Sequence, residues 1–261
     1  MNYDKNKNHK SAVILCGGKG TRLGSIGKKI PKTLMMVQGK PILWYIIKVL
    51  KKNKYNQIVL ALGYKQKKII NYLSKNKNEF KDINIKCVNT GVNSSISQRI
   101  YLLRNAIHSY DFLLLNSDTI FNLNLSKIYK DKIKKKIDLV FLTVSAIADF
   151  GCVIMNKKKV IGFERETTFK KIYYKKKKFT GLVNSGICFM NKKIFNYDFK
   201  NFNNFEMQLY PILIKKLKTS VVTPKGFWTG VDNQKQIDDL NSKKKNNYIN
   251  IKNIKSILKK I

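Results

Sequence analysis

Ser11-Ala12-Val13-Ile14-Leu15-Cys16-Gly17-Gly18-Lys19-Gly20-Thr21-Arg22-Leu23, with Lys32 nine residues on, is the stretch that decides the fold. Ser11 to Leu15 is short, apolar and rich in β-branched residues, the pattern of a buried strand. Gly17, Gly18 and Gly20 follow at once. Glycine allows a tight turn and lets backbone amides approach a ligand with no Cβ in the way. Such amides form a concavity that binds anions. Arg22 can grip a phosphate with its fork, and Lys32 adds a point charge. A phosphate-binding turn is the leading expectation. An ordinary strand-to-helix turn is the alternative, but it has no need of the two cations.

Two familiar glycine loops are excluded. A Walker A loop needs Lys-Ser/Thr after its last glycine, and Gly20 is followed by Thr21-Arg22. A dinucleotide fingerprint needs a third glycine where Leu23 stands, and a carboxylate near residue 38, where there is none.

Working outward, apolar runs alternate between strand-like and helix-like. Strands are expected at 57–62, 83–88, 111–115 and 138–145. Helices are expected at 41–51 (Pro41 in the first turn), 65–74 (Ile69, Ile70 and Leu73 on one face) and 97–107 (Ile100, Leu102, Leu103 and Ile107 as its apolar side). This alternation predicts an α/β fold of Rossmann-like type: a doubly wound, mixed but mostly parallel sheet. Beyond residue 150 come strand-like segments at 151–155, 160–164 and 182–190. A helix at 205–217, a strand at 220–223, a helix at 233–241 and a basic amphipathic helix at 249–261 complete the chain. The apolar stripe of that last helix is expected to pack on the body or on a neighbouring subunit.

The chain of 261 residues is 43% apolar, enough for one sizeable domain. The expected division is a disordered basic N-terminus at 1–10, one domain at 11–242 and the basic helix at 243–261. No apolar run reaches the ~20 residues that span a bilayer. Residues 1–10 lack the apolar region of a secretory signal, so the expectation is a cytoplasmic protein with no membrane partner. The formal net charge of +38 would suit nucleic acid, but lysine is spread along the whole chain. No arginine-rich arm or nucleic-acid module accompanies it. Solvated loops are the simpler reading of runs such as 175–178 and 243–245. Cys16, Cys87, Cys152 and Cys188 have no zinc spacing and read as buried, reduced thiols.

Only 15 residues are acidic, so an aspartate at a strand end stands out. Asp118 follows the apolar run 111–115, at the carboxyl end where open α/β sheets hold ligands. Asp232 follows Gly226-Phe227-Trp228-Thr229-Gly230-Val231. Two carboxylates suit Mg²⁺, which usually takes one or two together with substrate phosphates. A turn-forming or helix-capping role is the plainer alternative, for Asp232 above all.

The opening resembles a sugar-1-phosphate nucleotidylyltransferase. The likeness lies in residues 12–23, in Ile30-Pro31-Lys32 and in Gly39-Lys40-Pro41-Ile42-Leu43-Trp44-Tyr45. With Gly63-Tyr64-Lys65 it is most similar to the glucose-1-phosphate cytidylyltransferase branch. Asn89 to Arg99, Phe150-Gly151, Val160 to Glu164 and Val183 to Phe189 resemble later blocks of that branch. The resemblance implies transfer of a nucleotidyl group, CMP from CTP, to a sugar 1-phosphate such as glucose 1-phosphate. It implies Arg22 and Lys32 as catalytic residues. Leu15, Gly17, Gly18, Gly20, Thr21, Arg22, Ser94, Arg99 and Ser117 would bind the nucleotide. Lys32, Glu164 and Asn184 would bind the sugar phosphate, and Asp118 and Asp232 would hold Mg²⁺. A homo-oligomer is compatible with it. Ser97-Gln98, Ser117 and Thr33 depart from residues typical of the family. The departures leave open a sibling using another base or acceptor, such as GTP and heptose 1-phosphate. A non-catalytic, basic nucleic-acid-binding protein on the same scaffold also stays open.

Overall fold

A computed structural model describes residues 9–20, 27, 29–147, 152–164, 168–169, 171–174, 177–180, 182–242 and 248–260. The first half runs β1 (Ser11–Leu15), α1 (Ile42–Lys52), β2 (Gln57–Leu62), α2 (Gln66–Lys75), β3 (Asn84–Asn89), α3 (Ile96–Leu102) and β4 (Asp111–Asn116). There follow β5 (Thr119–Leu123), α4 (Leu125–Lys134), β6 (Leu139–Val144), and a separate hairpin of β7 (Cys152–Asn156) and β8 (Lys159–Glu164). The chain ends with β9 (Val183–Asn191), α5 (Phe205–Lys216), β10 (Thr219–Val222), β11 (Gly226–Gly230), α6 (Gln234–Asn241) and α7 (Tyr248–Lys260).

Seven strands form the central sheet in the order β10-β6-β9-β4-β1-β2-β3. β1 lies parallel to both β2 and β4, β2 to β3, and β10 to β6; β9 runs against both of its neighbours. The expected mixed, mostly parallel α/β sheet is therefore present. Side chains alternate along each strand, and both faces are covered. Ala12, Ile14, Ile58, Leu60, Leu113 and Leu115 enter a core shared with α1. Val13, Val59, Ala61, Phe112 and Leu114 enter a second core with Ile100 of α3 and Phe205, Leu209 and Leu213 of α5. α1 is apolar on nearly all sides because eight of its eleven residues are buried.

Several local expectations are corrected. Pro41 is the N-cap of α1 and pairs in a short strand with Met36, so it stands just before the first turn. α3 begins at Ile96 because Ser95 and Gln98 form a reciprocal capping box, and it ends at Leu102. Leu103 and Ile107 are buried without being helical, and Leu102 faces water. Ile70 of α2 is exposed as well. α4 was hidden in the lysine-rich run 125–134, where Asn124 caps the helix and Leu125 and Ile128 are its buried apolar residues. Lys10 falls in the stretch expected to be disordered, yet its backbone N–H donates to Asn56 Oδ1 and its ammonium lies over the Tyr129 ring. Residues 1–8, 175–176 and 243–247 lie outside the described residues.

α7 buries Ile254 and Ile257 in the core that α1 occupies, with Leu258 packed against it. The stripe read from the sequence thus docks on the body. Among the described residues, no helix is long and apolar enough to cross a membrane.

Candidate active site

The site is assembled where the carboxyl ends of β1 and β4 meet. After Leu15 the Cys16 N–H still donates to Ala61 of β2, and then the chain leaves the sheet as Gly17-Gly18-Lys19-Gly20. Gly20 has φ +62°, a left-handed conformation that disfavours side chains. Gly17 is required for a different reason. A Cβ there would lie 2.0 Å from the Arg99 guanidinium.

Arg99 is buried, and its Nη1 donates to Thr90 Oγ1 at 2.7 Å and to the Leu62 carbonyl at 3.4 Å. Its Nη2 donates to the Val92 carbonyl at 3.2 Å. Burial pushes its pKa below the usual arginine value. Arg99 was expected to touch nucleotide, and it does line the cavity described next. Its three donated bonds also make it a brace, holding the 90–95 loop against the glycine turn.

These elements enclose a cavity of about 700 Å³, within the usual size of small-ligand sites. Of the residues singled out in the sequence, Leu15, Gly17, Gly18, Gly20, Ser94, Arg99, Ser117, Lys32, Asp118 and Asp232 line it. Cys16, Lys19, Thr33, Val92, Asn93, Ser95, Ile96 and Asn116 line it too and were not singled out. Their signal was position: each neighbours an expected site residue or lies in the 89–99 stretch.

Lys32 opens a single 3-10 turn, Lys32–Leu34. Its Nζ lies 2.9 Å from Asp118 Oδ2 and 2.9 Å from Asp232 Oδ1. The two carboxylate oxygens are therefore no more than twice that length apart, although the residues are 114 positions apart in sequence. The ribbon of β5 and β11 brings them together. Thr119 pairs with Gly230, and one residue further the Val231 N–H donates to the Asp118 carbonyl at 2.8 Å. Trp228 fixes the ribbon to the sheet by donating its indole N–H to the Ser185 carbonyl at 3.0 Å.

The cluster has the donor set of a hard cation. Two carboxylates converge and open to that cavity. Among the described residues, no group of three or more His, Cys, Asp and Glu is placed to hold a metal ion.

Not every expected residue is gathered. Asn184 lies on β9, donates to Glu206 and accepts from the Gly186 N–H; it is not among the residues lining the cavity. The Glu164 side chain and the whole of Thr21 and Arg22 lie outside the described residues.

Cys16, on the cavity wall, has its thiol pKa pushed up to about 12 by burial, so it is inert at neutral pH. Cys188 is also buried. Cys87 corrects the expectation of buried thiols: it is exposed, on an edge strand, β3, whose side chains are all exposed or half-buried. The Cys152 side chain lies outside the described residues. Iodoacetamide at pH 8 should label Cys87 well before Cys16 or Cys188, and peptide mass spectrometry over a time course checks the order.

Comparison with known proteins agrees with this geometry. The nucleotidyl transferase family (NTP_transferase) matches residues 11–244. A Bacillus subtilis (strain 168) protein described as a probable glucose-1-phosphate cytidylyltransferase is 30% identical over 249 residues, 88% of this chain and 94% of its own length. A Campylobacter jejuni D-glycero-alpha-D-manno-heptose 1-phosphate guanylyltransferase is 36% identical over 217 residues, 79% of this chain and 87% of its own. The crystal structure of HddC from Yersinia pseudotuberculosis complexed with GMP-PN shares the fold, with a TM-score of 0.66 and 23% identity over 88% of this chain and 97% of that one. With a glycine turn, a lysine and two aspartates gathered in one cavity on this sheet, the chain belongs to the nucleotidyl transferase family, among its sugar-1-phosphate nucleotidylyltransferases.

Proposed function

We propose that the chain transfers CMP from CTP to glucose 1-phosphate, giving CDP-glucose and pyrophosphate. The observation that carries the reaction type is Lys32 held between Asp118 and Asp232 beside the glycine turn, all on one cavity. Support for the base and sugar is the Bacillus subtilis relative, which is matched over nearly its whole length.

The chemistry asks little of a general base. A phosphate monoester has its second pKa near ~6, so the attacking oxygen is already anionic at neutral pH. That oxygen attacks the α-phosphorus of the triphosphate in line, a new P–O bond forms, and the bond to the pyrophosphate oxygen breaks. The chain's task is to align two anions and offset their charge. Amides of residues 17–20 cradle the triphosphate, with Arg22 beside them. Lys32 bridges the α-phosphate and the sugar phosphate. Asp118 and Asp232 would hold Mg²⁺, which supplies charge neutralisation at the phosphates. With their charge met in this way, Lys32 is free to turn from the carboxylates to the substrates.

A second reading is favoured by the Campylobacter jejuni relative, whose identity is higher over a shorter span: GTP with heptose 1-phosphate. A pyrophosphate-release panel of four nucleoside triphosphates against glucose 1-phosphate and heptose 1-phosphate, with and without Mg²⁺, separates the two. CTP with glucose 1-phosphate should give the highest kcat/KM, and only with Mg²⁺. A maximum at GTP with heptose 1-phosphate would replace the first reading with the second. No turnover with any pair would remove both.

A further inference from the structure

Gln38 and Gly39 form the two-residue turn between the short strands Met36–Val37 and Lys40–Pro41. Both have positive φ, +47° and +83°. Such a turn favours Asn-Gly or Gly-Gly, and a longer side chain at its first position holds a conformation that L-residues resist. Strain of this sort persists only where the surroundings over-determine it. For Gln38 those surroundings are the end of α6. Its N–H donates to Asn241 Oδ1 at 2.7 Å, and its Nε2 donates to the Leu240 carbonyl at 2.7 Å. Asn241 Nδ2 in turn donates to the Met36 carbonyl at 3.0 Å. The Leu240 carbonyl lies in the last turn of the helix, where carbonyls find no partner along the helix itself. Three hydrogen bonds thus clasp the turn to α6.

Each clasped segment carries one half of the site. Lys32 opens the turn Lys32–Leu34, just ahead of Met36. Asp232 stands just ahead of α6 and is tied to it, because the N–H groups of Asp232 and Asn233 both donate to Gln236 Oε1. The two segments are therefore joined twice. The Lys32–Asp232 ion pair links them at one end, and the clasp links them at the other, with the ~12 Å length of α6 between. Ile237 and Leu240 also bury against the core. Apolar contact is non-directional, however, whereas hydrogen bonds depend on distance and angle and so fix register. Of the two links, the ion pair is the one that transfer would break, when Lys32 turns to the substrates. The clasp stays intact through that step.

We infer that Gln38 and Asn241 are positioning residues for the transfer reaction, holding Lys32 and Asp232 in register while the ion pair between them is open. The inference rests on the roles proposed above for those two residues. Neither Gln38 nor Asn241 is among the residues lining the cavity, so each acts through the segment it holds. A displacement of ~1 Å caused far from the chemistry can cost up to about a hundredfold in rate, which is the scale on which such a clasp matters.

Pyrophosphate release by the full chain, with the triphosphate and sugar 1-phosphate that turn over fastest, tests this alongside thermal melting. Asn241→Ala should lower kcat roughly tenfold and leave KM for both substrates within about twofold. Asn241→Asp keeps the acceptor for the Gln38 N–H and should retain more of the rate. Gln38→Asn separates positioning from folding. Asparagine suits the turn better but is one methylene short of the Leu240 carbonyl, so the melting temperature should hold or rise while kcat falls. Wild-type kcat in Asn241→Ala would overturn the inference, and so would rates that follow melting temperature across the three variants. A wild type that turns over no pair would remove the proposed reaction, and hydrogen exchange would then decide whether the clasp holds the Lys32 turn. The Leu34 and Met35 amides, which donate to the Pro31 and Lys32 carbonyls, should exchange severalfold faster in Asn241→Ala while those of β1 stay unchanged. Unchanged exchange at both amides overturns the inference.

Discussion

Lys32→Ala should lower the rate of pyrophosphate release roughly a hundred- to a thousandfold, the usual loss when one preorganised electrostatic group is removed from a transition state. Lys32 bridges the Asp118 and Asp232 carboxylates at 2.9 Å each. Its loss removes a cation from between two like charges, so a stability signature should accompany the kinetic one. Added Mg²⁺ should raise the melting temperature of Lys32→Ala more than that of the wild type, because the variant lacks the competing ammonium. The second readout does not depend on turnover. Asp118→Ala should lose a similar factor in rate and most of the Mg²⁺-induced shift. Near-wild-type turnover in Lys32→Ala would refute the role given to it. An Mg²⁺ shift in Asp118→Ala equal to that of the wild type would remove Asp118 as a ligand of the metal.

Asp111→Ala is the variant expected to lose most stability. Lys132 of α4 is the deeply buried lysine of the molecule's described part; its side chain is 1% exposed and pairs with Asp111, the first residue of β4. Removing one partner of a buried pair strands the other charge and typically costs about 3–5 kcal/mol. In a chain of this size the melting temperature should fall by on the order of 10 °C. The double variant Asp111→Ala/Lys132→Met should recover most of the loss, because no buried charge then remains unpaired. Scanning calorimetry on the two single variants and the double variant measures the coupling. Pyrophosphate release well below the melting transition should stay near wild type in all three, since Asp111 stands at the opposite end of β4 from Asp118. A double variant no more stable than Asp111→Ala would show that the pair itself is not the source of the stability.

The parts of the molecule legible in the sequence were those written in local pattern. β1, β2 and β4 are continuous apolar runs because both faces of the sheet are covered, and such runs announce themselves without any partner in view. The glycine turn was legible for a related reason: glycine spacing beside cations has few other uses. Illegible were elements whose side chains answer to distant neighbours. β5 and β11 stabilise each other as a ribbon, and neither reads as a strand by itself. α4 carries lysines through most of its length, and one of them, Lys132, is buried only because Asp111 is there to meet it.

Sequence alone therefore determined the doubly wound sheet, the glycine turn after its first strand and the three charged residues worth following. That those three meet was implied by the family resemblance, not by the local pattern of the chain. Lys32, Asp118 and Asp232 converge because an antiparallel ribbon aligns Thr119 with Gly230, a register set by backbone hydrogen bonds between segments about a hundred residues apart. Arg99 shows the same division. Its identity was plain, but its place as a brace under Gly17 follows from three acceptors on Leu62, Thr90 and Val92, which only the folded chain brings within reach.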